Sequence, residues 1–188
     1  MTEINESEAY GDRFCQFTGM TDKQKSDLQK SWKSIVGTTL REKDSKMEEF
    51  GKNFLLWLLE AVPGAKKQFK IFKGTAPSSD LLTDKEFVNH ARIVGKWFDS
   101  MISVVFKPVE LEMETHHLAI THLFLQPKIG MTYFRPFQEK FPSFMATQLG
   151  KPETDEEVKI WELFSNVLTT KVKKSEKLLK KPKACVLA

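Results

Sequence analysis

The sequence predicts an all-α domain of six or seven helices. Apolar residues recur at three- and four-residue spacing through several long segments, and no segment alternates convincingly as a strand would. Three stretches of the form Thr-x-x-Gln/Glu, which suit helix starts, punctuate the chain: Thr21-Asp22-Lys23-Gln24, Thr83-Asp84-Lys85-Glu86 and Thr154-Asp155-Glu156-Glu157.

Each element follows in order. Residues Met1 to Met20 are polar with scattered aromatics and no sustained period, and read as an extension that is partly disordered or wraps the surface. After the first capping box, Leu28, Trp32, Ile35, Val36 and Leu40 make one amphipathic stripe. Phe54, Leu55, Leu58 and Leu59 mark a second helix ending near Val62-Pro63-Gly64, because proline disfavours helix in the residue before it. Gly74 to Asp80 reads as a loop. A long helix then starts at Asp84, with Phe87, His90, Val94, Phe98 and Met101 along one stripe.

A shorter helix runs from about Val109 to His122. In Met131 to Leu149, Phe134, Phe137, Phe141 and Phe144 step as a buried face does, although Pro142 removes a backbone bond and should kink it. Trp161, Phe164, Leu168 and Val172 form the last stripe. The division expected is residues 1–20 as an amino-terminal extension, 21–172 as one domain and 173–188 as a basic tail.

Composition narrows the function. Of 188 residues 40% are apolar, enough for one core, and fifteen Phe and four Trp against two Tyr make that core aromatic and dry. Seven lysines and one glutamate from Lys171 onward carry +6 of a net charge of +4, which leaves −2 for everything before them. A nucleic-acid reader spreads its cations over a folded face, so this distribution argues against one. Cys15 and Cys185 have no disulfide-scaffold or zinc spacing, which fits a reducing, cytoplasmic setting. Neither a signal peptide nor a segment of membrane-spanning length is present.

The chemistry lies in the histidines. His90 interrupts an apolar face, and an imidazole there needs a partner for its nitrogens. His122 ends an apolar stripe through Leu111 and Leu118 on a different helix. His116 and His117 are turned away from that face and read as solvated, with His117 as the alternative ligand. Neutral imidazole suits iron, zinc or copper. The neighbours Leu55, Phe69, Phe72, Phe87, Val94 and Leu118 supply no further zinc ligand and suit a large, flat, apolar cofactor.

These residues resemble the globin family over about Thr21 to Val172. Trp32 looks like the first-helix tryptophan of invertebrate globins. Pro63 with Phe69 and Phe72 looks like the proline and phenylalanine pair around the short third helix, and Leu55 matches a second-helix position lining the distal pocket. Leu118-Ala119-Ile120-Thr121-His122 is similar to the Leu-Ala-x-Ser-His run that ends in the proximal ligand of muscle globins. Pro142 departs from the pattern.

The resemblance implies a globin fold of six to eight helices around haem b, with His122 as proximal and His90 as distal iron ligand. Leu55, Phe69, Phe72, Phe87, Val94, Phe98, Leu118 and Thr121 would line the haem, and the Leu118 carbonyl or Thr121 hydroxyl would orient the proximal ring. Lys73, Arg92 and Lys128 are within reach of the propionates but read as solvated charges. The interval from His90 to His122 resembles that of neuronal and cytoplasmic, nematode-type globins with bis-histidine haem. The implied function is dioxygen binding or sensing, or redox signalling with an electron donor or acceptor. The alternatives are turnover of nitric oxide, nitrite or peroxide, and a pentacoordinate oxygen store. Cys185-Val186-Leu187-Ala188 fits a prenylation pattern, which with lysines adding about 1 kcal/mol each at an anionic leaflet would anchor the chain to a membrane.

Overall fold

The computed structural model describes residues 13–62, 64–68, 81–124 and 129–180. Pro63, Phe69, Phe72, the Gly74 to Asp80 loop, Lys73, Lys128 and Cys185 lie outside the described residues.

The described part of the amino-terminal extension forms a short hairpin, an element the sequence does not reveal. Phe14–Cys15 (β1) and Met20–Thr21 (β2) pair antiparallel, Phe14 with Thr21 and Cys15 with Met20. Strands of two residues are too short to show alternation in a sequence. Gly19 closes the turn at φ 68°, where side chains are disfavoured, and its N–H donates to the Cys15 carbonyl at 2.7 Å. Met20, placed at the end of a polar extension, is fully buried.

Helix α1 (Asp22–Val36) begins at Thr21 with a capping box: the Thr21 hydroxyl accepts from the Gln24 N–H, and the Gln24 side chain accepts from the Thr21 N–H at 2.8 Å. It ends at Gly37, so Leu40, read as part of its stripe, instead starts α2 (Leu40–Ala61) and is 80% exposed. A short α3 (Ala65–Gln68) follows. The long α4 (Lys85–Ser103) is capped by Asp84, whose carboxylate accepts from the N–H groups of Glu86 and Phe87.

Helices α5 (Pro108–Phe124), α6 (Met131–Leu149) and α7 (Glu156–Lys180) complete the described elements. The helical assignment of α6 runs unbroken through Pro136 and Pro142. At α7 the Asp155 carboxylate, not Thr154, accepts from the Glu157 N–H. The helix continues past Val172 to Lys180.

The core is a knot of rings from α1, α2, α4, α6 and α7. Trp32 meets Phe50 edge-on at 4.9 Å, Phe50 meets Phe98 at 5.1 Å, and Trp161 is fully buried beside them. Both indoles are satisfied: Trp32 donates to Asp99 and Trp161 to Ser31, each at 2.8 Å. Helices α2 and α4 cross at backbone contact, with Gly51 against the Ala91 carbonyl and Gly95 against the Met47 carbonyl. That crossing fixes the height of the helix carrying His90. Across the molecule, α5 packs on α7 through Ala119, Leu123 and Val172, with Leu118 against the same cluster.

Candidate haem site

Between α4, α5 and α6 lies a cavity of about 270 Å³ with walls that are almost entirely apolar. His90, Val94 and Phe98 reach it from α4, Leu118, Thr121 and His122 from α5, and Leu55 from α2. Seven of the residues singled out from the sequence therefore meet around one space. Phe87 is fully buried on α4 but is not among the described residues lining the cavity. His117 lines the cavity from an exposed position, whereas the sequence reading turned it away. His116 does face elsewhere, with its Nδ1 3.0 Å from the Ser175 hydroxyl.

Sequence reasoning did not assign Ile93, Trp97, Tyr133, Phe134 or Phe137 to the cavity wall. A signal existed for two of them: Ile93 and Trp97 follow His90 by three and seven residues, on the same face of α4. Phe134 and Phe137 were legible as a buried stripe but not as part of a cavity, because periodicity shows that a face is covered and not what covers it.

The two imidazoles are held in different ways. Nδ1–H of His122 donates to the Leu118 carbonyl at 2.8 Å, which directs the ring and leaves Nε2 with its lone pair. Phe134 packs against the same ring edge-on, with centroids 5.7 Å apart. Burial pushes the His122 pKa below its ordinary 6.5, while the bond to Leu118 pulls weakly the other way. His90 is pushed down by burial first and then by the charge His122 would carry. Both rings are thus kept neutral, the form that binds a metal.

The chemistry of this site fits haem. It offers two neutral imidazoles from separate helices, and the described residues contain no cluster of three or more His, Cys, Asp or Glu that would hold a bare metal ion. The cavity wall also contains an orphan: the indole Nε1 of Trp97 is buried with no hydrogen-bond partner among the described residues. Arg92, considered for the propionates, is instead ion-paired to Glu48 at 2.6 Å.

The comparisons agree. A curated protein described as Globin, from Biomphalaria glabrata, is 29% identical over 142 residues, covering 76% of this chain and 89% of its own. The crystal structure of a double mutant of the myoglobin from Aplysia limacina superposes with a TM-score of 0.63 at 18% identity, covering 80% of this chain and 95% of that one, which shows the shared fold. The Globin family model matches residues 52–172, more than half of the chain. The protein therefore belongs to the globin family, with haem b as its cofactor and a diatomic gas such as dioxygen as its ligand.

Proposed function

We propose that this globin holds its haem between His122 and His90 together, and that it serves dioxygen sensing or redox signalling in the manner of cytoplasmic, nematode-type globins. The observation that carries the reading is that both imidazoles line one apolar cavity from separate helices, each kept neutral by burial. When bound, haem would supply an iron that takes imidazole nitrogen and diatomic gases as ligands.

The chain's own residues divide the remaining work. His122, oriented through Leu118, would be the fixed ligand. His90 would compete with a gas for the iron, and Leu55 and Phe98, both fully buried, would keep water from the space beside it. A protein built this way responds to the redox state of its surroundings and to gases that compete with its own histidine, rather than storing oxygen in bulk.

Carbon monoxide mixing with the ferrous protein tests this. Binding should approach a limiting rate independent of carbon monoxide concentration, because departure of His90 becomes the slow step. His90→Leu should restore a rate proportional to concentration. A wild-type rate that stays proportional at all concentrations would return the protein to the pentacoordinate oxygen binders.

A further inference from the structure

Helix α5 has a second concave face, away from the haem cavity, where it meets α7. A cleft of about 270 Å³ opens there, walled by Val109, Met113 and Leu178 and by Glu112, Thr115, His116, Lys171, Lys174 and Ser175. Its size lies just below the range of about 300–1,000 Å³ that holds drug-sized ligands, so its occupant is small. Val109, Met113 and Leu178 are 74%, 68% and 52% exposed, a concentration of uncovered apolar surface around one cleft.

The polar groups of the cleft are satisfied with one exception. His116 is bonded to Ser175, itself 94% buried, and Lys174 to Glu112 at 2.8 Å. Thr115 donates back to the Leu111 carbonyl at 2.9 Å. Lys171 has no hydrogen-bond acceptor or ion-pair partner among the described residues: its Nζ rests 3.2 Å from the centroid of the Phe17 ring, and Glu112, whose field reaches it, is already committed to Lys174. Burial lowers the pKa of this ammonium by more than the field of Glu112 raises it.

We propose that the α5–α7 cleft binds a medium-chain fatty-acid carboxylate, the headgroup on Lys171 and the chain along Val109, Met113 and Leu178. One uncommitted cation calls for a single negative charge, and apolar walls call for a hydrocarbon chain rather than a phosphate. A free acid fits better than a bilayer, because the site is concave and Glu112 at its wall is neutralised by Lys174.

The test uses the haem-loaded full chain, so that the haem cavity is filled. Calorimetric titration with decanoate, below the concentration at which it forms micelles, should show saturable binding at one site. Decanol should bind at least about tenfold more weakly, since a charge-assisted bond is absent. Lys171→Gln should weaken decanoate by about tenfold, and Met113→Glu should abolish saturable binding with the Soret band unchanged. Met113 is on the exposed rim, so it reports even if loss of the Phe17 contact loosens the Lys171 variant. Absence of saturable decanoate binding, equal binding of decanol, undiminished binding to Met113→Glu, or association with phosphatidylserine vesicles in place of decanoate each overturns the proposal.

Discussion

The Nδ1 of His122 lies 2.8 Å from the carbonyl oxygen of Leu118, one turn earlier on α5. A helix carbonyl cannot swing away as a side chain can, so the ring is oriented by the backbone itself. Replacing the ring should remove the fixed end of the site: His122→Gly should lose haem to a competing acceptor at least about tenfold faster than wild type. Imidazole added to the buffer should restore retention in part, which a merely unfolded variant would not allow.

Helices α2 and α4 cross at backbone contact beside the site. A Cβ on Gly51 would lie 2.0 Å from the Ala91 carbonyl oxygen, and one on Gly95 would lie 2.2 Å from that of Met47. Alanine gains about 1 kcal/mol of helix propensity over glycine, yet neither backbone can yield. Gly51→Ala and Gly95→Ala should each cost a net of about 1–3 kcal/mol, measured by urea unfolding. They should also shift the haem spectrum, because Ala91 directly follows His90 and Gly95 directly follows Val94 on α4.

Asp99 joins two elements. It accepts from the indole of Trp32 at 2.8 Å and from Lys43 at 2.7 Å. Asp99→Ala strands a donor on a buried ring and should cost about 1–3 kcal/mol. Lys43→Ala removes a partly exposed ion pair and should cost less than about 1 kcal/mol. Equal losses in urea unfolding would refute the assignment of the larger effect to Trp32.

Acid should weaken the haem-free protein through its histidines. Burial holds His90 and His122 below their ordinary 6.5, so between their folded values and 6.5 the unfolded chain binds more protons than the folded one. Their contribution is whole above 6.5 and is lost as pH falls toward the depressed values, by at most about 1.4 kcal/mol per pH unit for each ring. Urea unfolding across this window should show a shallower slope for His90→Leu than for wild type. Parallel slopes would mean that His90 is not desolvated.

The parts of this fold readable from the sequence are those where local chemistry and tertiary packing agree. Thr21 and Gln24 form the box their spacing implies, because both side chains are free to turn back on the helix start. Asp84 and Asp155 take over from Thr83 and Thr154, since a carboxylate one residue later serves the same N–H groups and competes for the cap. Leu40 was assigned to the wrong helix because its spacing continues the stripe of α1, whereas Gly37 at φ 80° ends that helix. The histidines stood out because an imidazole on an apolar stripe is anomalous. Trp97 and Phe134 did not, since an aromatic at helical spacing looks the same against a core as against a cofactor.

The most direct measurement is the absorption spectrum of the ferrous, gas-free protein beside that of His90→Leu. Sharp low-spin bands in wild type that give way to one broad high-spin band in the variant are the predicted result. A broad high-spin band already in wild type, or low-spin bands that survive the loss of His90, would contradict the pairing of these two histidines on one iron.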